Sequence, residues 1–473
     1  MQIEDFLLMR HEILLTLGIL IILMADLFRP HGRESSFSGL AIGLMAVITL
    51  AGLLPVPQGS LFGGMYVSTP LFTLVKNVLT MGTLIVFLQA HSWMTGPLTL
   101  RRRSEFYILL MSTLLGMYFM ISSGNFLMLY IGLELASIPV AAAAAYDKFR
   151  MDSAESGMKY ILSSAVSSAI LLYGISLIYG ATGSLYFERV AAFYTGTPVQ
   201  MLAFVLFFSG LAFKISLVPF HLWTADVYQG APTGVTSYLS VVSKGASTFV
   251  LLVLLYTVFS KIALLWQPML FVVAVVTMVV GNLFALRQQH MRRFIAFSSI
   301  SQAGYILVGL AAGNQLGMSS VVYYILVYVC SNLGVFGVIS AIEHATGKLR
   351  MDDYNGLYHT NPRLALLMTL SLFSLAGIPP VAGFFGKFFL FAAAAQQGMY
   401  VLVILATLNT IISLYYYLLV VKAMFINSNN TPVPFFRTCC VTRTGLVLCA
   451  LGLVVLGFAA VVYQQMFDMS FGL

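Results

Sequence analysis

Apolar and polar positions in this chain alternate on the scale of whole helices rather than single residues. Runs of roughly 17–25 mostly apolar residues recur from end to end, each long enough to cross the ~30 Å hydrocarbon core of a bilayer as an α-helix. The pattern predicts about fourteen spans, at 12–28, 37–54, 70–90, 105–121, 125–146, 157–181, 199–218, 232–258, 268–286, 294–312, 318–342, 363–378 with 383–397, 399–425 and 444–465. The fold class that follows is an all-α polytopic membrane protein. The first run has the length of a signal peptide. However, Glu4 and Asp5 precede it and no small-residue cleavage site follows Asp26, so it reads as a retained helix. The joints are short, with no nucleotide-binding loop, soluble domain or low-complexity linker.

Composition agrees with this pattern. Of 473 residues, 60% are hydrophobic and only 8% charged, whereas a soluble chain carries about 25% charged residues. Mean hydropathy is +0.94. The four cysteines, Cys330, Cys439, Cys440 and Cys449, suggest no disulfide framework, and the adjacent pair lacks the spacing of a metal site. Basic residues are distributed unevenly. Joints after odd-numbered spans hold fifteen, among them Arg29, Arg33, Arg101, Arg102 and Arg103, while the other side holds only Arg10, Arg189 and Lys261. By the positive-inside rule the odd joints face the cytoplasm and both termini face outward. The net charge of +8 is therefore mostly topology and not a nucleic-acid surface.

Six of the 24 basic residues fall inside spans: Lys76, Lys159, Lys214, Lys244, Lys387 and Lys422. Lys422, Lys159 and Lys76 are near enough to span ends to snorkel. Lys214, Lys244 and Lys387 are deeper, and Lys244 is flanked by Ser240, Ser243 and Ser247. Glu134 reads as the only carboxylate deep inside a span. An ionised group at mid-bilayer costs at least ~2.5–3.5 kcal/mol on insertion scales, so each of these should face a partner or a wet cavity. A structural ion pair would account for one lysine. It leaves two without a carboxylate, and a buried amine loses its proton more readily than a solvated one. A row of such amines is a proton path, with Ser163, Ser164, Ser167, Ser168, Ser240 and Ser243 as candidate water holders.

Two spans are broken. The seventh loses its pattern at Val218-Pro219 and the twelfth at "SLAGIPPVAGFFGKFFLF", with Pro379 and Pro380. Proline leaves carbonyls without intrahelical partners, which a membrane tolerates only inside protein or along a wet cavity. Each broken span carries a lysine, Lys214 or Lys387. If spans 4–8 (105–258) and 9–13 (259–425) are two repeats, the broken helix is fourth in both. Five spans being odd, the repeats insert with opposite orientation. Residues 1–104 and 426–473 then flank them as helices 1–3 and 14. The second repeat lacks a counterpart of Glu134, so the two halves of the path should be unlike.

The stretches "LYIGLELASIPV", "FKISLVPFHLWTADVYQGAP", "MRRFIAFSSISQAGY" and "SLAGIPPVAGFFGKF" resemble the antiporter-like membrane subunits of respiratory complex I, over essentially the whole chain. The lysine in "GFFGKF", and an end soon after the fourteenth span, make the subunit N branch the most similar. The resemblance implies a proton-translocating subunit of a redox-driven NADH:quinone oxidoreductase in the bacterial inner membrane. It implies no cofactor in this chain, with FMN, iron–sulfur clusters and quinone in partner subunits. Its neighbours would be membrane subunits such as M, K and J. Glu134 would pair with Lys214 and tune it, Lys244 would relay protons, and Lys387 would load or release them at the far side. Lys159, His221, Asp226 and Gln302 would be auxiliary. Two positions depart from the family: Ala225 stands where proline is common, and Gln302 where histidine is common. Glutamine cannot titrate, so a relay there would rely on water. The alternative is a multisubunit sodium/proton antiporter built on the same fold, or a passive scaffold whose charges only fix helix packing.

Overall fold

Every apolar run becomes a helix, and at four of them a polar residue of the joint caps the start. The computed structural model describes residues 3–28, 36–96, 99, 102–429 and 431–469. Arg29, Arg33 and Arg101 lie outside the described residues. The principal helices are α1 (Arg10–Leu27), α2 (Ser36–Ala51), α3 (Pro70–Met94), α4 (Arg103–Ile121), α5 (Phe126–Ala144), α6 (Met151–Thr182), α7 (Pro198–Ile215) and α8 (Leu222–Gly230). They continue as α9 (Thr233–Thr257), α10 (Ala263–Ala285), α11 (Met291–Ala312), α12 (Gln315–Thr346), α13 (Pro362–Ala376), α14 (Ala382–Gln396), α15 (Tyr400–Phe425) and α16 (Cys440–Phe458). Among the described residues, eleven helices are long and apolar enough to cross a membrane, and three shorter apolar ones accompany them.

Local sequence explains these capped starts. Thr197 caps α7 in a capping box with Gln200, and Pro198 occupies the first turn, where a missing N–H costs nothing. Asn125 and Asn314 cap α5 and α12 in the same way, through a side-chain oxygen. The helices α6 and α12 are both 32 residues long, and both end on a left-handed glycine, Gly183 and Gly347. Short backbone bridges link Asn125 to Tyr186 and His290 to Arg350, closing the two stretches that contain these long helices.

Small residues permit the closest helix contacts. A Cβ on Gly116 of α4 would sit 2.4 Å from the backbone nitrogen of Ala136 on α5, and one on Gly281 of α10 would sit 2.6 Å from that of Ser301 on α11. In hydrocarbon, such close approach replaces the hydrophobic drive that joins helices in water. The strongly apolar segments of α9 and α11 are wholly buried, while those of α10, α15 and α16 are one-third buried and form the outer wall.

Short elements escaped the apolar pattern, among them the helices Phe187–Phe193 and Leu222–Gly230 and one hairpin. Residues Gly59–Leu61 and Tyr66–Ser68 form an antiparallel β-hairpin. It rests on the end of α4, where the Val67 N–H donates to the Ser122 carbonyl at 2.8 Å. Three-residue strands are too short for alternation to reveal them.

Candidate functional site

Both breaks turn through a left-handed residue, Ser216 after α7 (φ 66°) and Gly377 after α13 (φ 87°). A cis proline bond follows each, Val218-Pro219 and Pro379-Pro380. The carbonyls exposed at these turns are taken up by side chains from elsewhere. The Trp223 indole donates to the Phe213 carbonyl at 3.0 Å. At the second break, Gln302 Nε2 donates to the Leu375 carbonyl at 3.0 Å and Lys387 Nζ to the Ala376 carbonyl at 3.2 Å. The two lysines therefore stand on opposite sides of their breaks. Lys214 is in the last turn of α7, and Lys387 is on the half-helix α14 after the turn. When the two turns are aligned, the position of Lys387 matches that of Asp226 on α8.

Lys214, Lys244 and Lys387 are exposed by only 5%, 5% and 3%, so none can snorkel. The Lys214 ammonium donates to Ser137 Oγ at 2.6 Å, Ser164 Oγ at 2.8 Å and the Tyr160 hydroxyl at 3.4 Å. The contact with Glu134 expected from the resemblance does not form. No ion pair joins the two among the described residues, and Glu134 Oε1 is buried without a hydrogen-bond partner. Ser137, three residues on and on the same face of α5, occupies the lysine instead.

A cavity of about 10 Å3, room for about one water, lies among Ser137, Tyr160, Lys214, Ser243 and Ser247. A second of the same volume lies beside Lys244, Thr248, Ser299 and Tyr328. Lys244 directly follows a π-helical turn, Leu239–Ser243, which had no sequence signal. Such turns break the regular ladder and are frequent at functional sites. Its Nζ donates to Ser299 Oγ at 2.8 Å and lies 5.5 Å from the Tyr228 ring centre.

Beyond Lys244 the polar groups continue. Asn332 donates to Ser240 Oγ at 2.6 Å and to the Tyr328 hydroxyl at 2.9 Å. Gln302 accepts from the Tyr324 hydroxyl and donates to Tyr417 at 3.1 Å. Its amide is thus engaged by protein groups, the Leu375 carbonyl included. Lys387 Nζ lies 4.2 Å from the centre of the Tyr305 ring. The serines differ in what they do. Ser164, Ser240 and Ser243 line the chain of polar groups, Ser163 and Ser167 bond backbone carbonyls, and Ser168 Oγ is buried without a partner among the described residues.

The auxiliary residues divide likewise. Lys159 pairs with Asp226 at 2.8 Å and with Glu155 at 2.7 Å, and its side chain is 43% exposed. Asp226 also pairs with Arg293 at 2.7 Å, so this ionic cluster fastens α6, α8 and α11 at the periphery. His221, half-buried at the start of α8, has no partner for Nδ1.

One reading of the sequence is corrected and one buried group is added. Lys76 does not snorkel, and Glu12, at a span edge, is a carboxylate enclosed by protein. Glu12 and Lys76 are each 2% exposed and form an ion pair at 2.5 Å, joined by the Tyr66 hydroxyl at 3.0 and 3.1 Å. The hairpin brings Tyr66 onto the pair and closes it from solvent. Glu12 lies beside Arg10 at a span edge, where a solvated acid is the ordinary reading, so its burial had no sequence signal. Removing one partner of a buried pair costs ~3–5 kcal/mol. Lys76→Met should therefore lower the heat resistance of the assembled protein in detergent, and adding Glu12→Gln should restore most of it.

Residues 123–413 match the family described as NADH:quinone oxidoreductase/Mrp antiporter, TM. The chain is 54% identical over 469 residues to NADH-quinone oxidoreductase subunit N of Phocaeicola vulgatus, covering 99% of each chain. It is 37% identical over 458 residues to subunit N 1 of Rhizobium meliloti, covering 95% of this chain and 94% of that one. The chain belongs to the subunit N family of NADH-quinone oxidoreductase.

It is thus a multi-pass membrane protein and a proton-pumping, antiporter-like subunit of complex I. A chain of respiratory complex I from Thermus thermophilus superposes with a TM-score of 0.80 at 29% identity, covering 96% of this chain and 98% of that one. A chain of the Mrp complex from Dietzia sp. is similar in fold, with a TM-score of 0.85 at 21% identity, covering 99% and 97%. The matched segment, residues 123–413, holds both breaks, Glu134 and the three buried lysines. It leaves out the Glu12–Lys76 pair.

Proposed function

We propose that Lys214, Lys244 and Lys387 carry the protons that this subunit moves. The observation that bears most weight is that Lys214 and Lys244 are buried, bound to hydroxyls instead of carboxylates, and separated by cavities that each admit about one water. A hydroxyl both donates and accepts, so an amine bound to one can pass a proton on and recover it. From Lys244 the route continues by Ser299, Tyr328 and the Gln302–Tyr417 group toward Lys387. Glu134 biases Lys214 electrostatically. His221 stands at a mouth, and Lys159 and Asp226 hold the surrounding helices.

The fourteen crossings divide into two inverted repeats, 105–258 and 259–425, flanked by 1–104 and 426–473. The paired 32-residue helices with glycine ends, the two backbone bridges and the two left-handed turns support this division. The basic joints face the cytoplasm and both termini the periplasm of a bacterial inner membrane. FMN, iron–sulfur clusters and quinone belong to other subunits, and subunits M, K and J are neighbours in the membrane arm.

Glu134→Gln tests the electrostatic role. It keeps the volume of the side chain and its hydrogen-bonding capacity but removes the charge that acts on Lys214. Assembly should be normal, with quinone reduction and pumping in membrane vesicles reduced severalfold. Wild-type pumping in this variant would remove Glu134 from the mechanism.

A further inference from the structure

On the face that carries the basic joints, the starts of α13 and α16 converge with residues 435–438 around an open cavity of about 730 Å3. That volume is in the range of small-molecule sites. Arg363 from the first turn of α13, Arg443 from the first turn of α16, and Arg437 border it. Among the described residues, none of these three side chains has an ion pair or hydrogen bond. Other arginines of the same face are paired: Arg150 and Arg292 with Glu343, and Arg293 with Asp226. Neither Asn361 nor Cys439 caps its helix through a side chain, so two positive helix ends add to the three cations. Leu364, Leu367, Leu446 and Val447 continue the cavity as apolar walls along the two membrane helices.

We propose that this cavity binds an anionic phospholipid of the adjoining leaflet. Its phosphodiester lies against Arg363, Arg437 and Arg443, and an acyl chain lies between α13 and α16. A clamp of guanidinium groups at a helix start matches phosphate in both charge and geometry. The apolar walls distinguish the occupant. A free anion would leave them unused, and an acidic peptide would have to bury unpaired backbone there.

The test uses the intact complex, exchanged into vesicles of phosphatidylcholine with or without phosphatidylglycerol, extracted gently, and weighed by native mass spectrometry. Wild type should retain phosphatidylglycerol in preference to phosphatidylcholine, less so at high salt. Each arginine replaced by glutamine should weaken retention by roughly fivefold. Arg437→Gln alone, outside any helix, suffices if the triple variant does not assemble. Leu367→Trp fills the apolar wall with the charges intact and should lower retention too. Retention unaffected by the arginine changes overturns the proposal. So does retention lowered by them but indifferent to Leu367→Trp, which is the behaviour of a free-anion site. Loss of a neighbouring subunit from the arginine variant with its lipid retained would also overturn it, in favour of an acidic protein segment.

Discussion

Lys214→Met should leave insertion and assembly intact while proton pumping and coupled NADH oxidation fall together. The substitution keeps an unbranched chain of similar length. It also removes an ionised group whose presence costs at least ~2.5–3.5 kcal/mol on insertion scales. The three groups left behind, Ser137, Ser164 and Tyr160, are neutral hydroxyls, two of which can turn to backbone or to each other. Loss of a positioned proton-transfer group slows such steps on the order of 100-fold or more. Lys214→Arg should be no rescue. A guanidinium keeps its proton at any physiological pH, and the adjoining cavity of about 10 Å3 is too small for the larger fork, so overpacking adds a stability cost of about 1–3 kcal/mol. A merely structural charge predicts the reverse order, with arginine tolerated and methionine harmful. Membrane vesicles containing equal amounts of assembled complex decide between the two.

Replacing Pro379 and Pro380 together by alanine should impair pumping more than folding. In a continuous helix the N–H groups of residues 379 and 380 would bond the carbonyls of 375 and 376. Those are the carbonyls now held by Gln302 and Lys387. The double variant supplies two new donors that compete for the same acceptors, and Gly377 can adopt helical dihedrals as readily as its present φ of 87°. If α13 and α14 straighten, Lys387 loses its carbonyl and shifts from the face of Tyr305. Assembly measured on native gels should be near normal, with proton transfer in vesicles strongly reduced. A double variant that pumps like wild type would make the break a packing feature without a part in transfer.

Much of the architecture is legible in the chain because the bilayer imposes local rules. A span must be apolar over about 20 residues to cross hydrocarbon, so the spans declare themselves by length alone. Proline withholds a donor wherever it stands, so both breaks are visible as well. The motifs around Glu134, Lys214, Gln302 and Lys387 carry the family, and the relatives agree over nearly the full length.

Partnership among the buried groups was decided only in three dimensions. Ser137 and Ser164 are 77 and 50 residues from Lys214 in sequence, and Glu12 is 64 from Lys76. Sequence spacing carries no signal at that range. The resemblance implies a pairing of Glu134 with Lys214, 80 residues apart in sequence. The helix contact instead turned Ser137 toward the ammonium and left Glu134 beside it. The hairpin at Gly59–Ser68 decided that Glu12 and Lys76 are core and not surface, because it covers two span edges that would otherwise meet water. Hydrophobicity along the chain determines which segments enter the membrane. Which polar atoms meet inside depends on how those segments rotate against one another, and close contacts such as Gly116 on Ala136 fix that rotation.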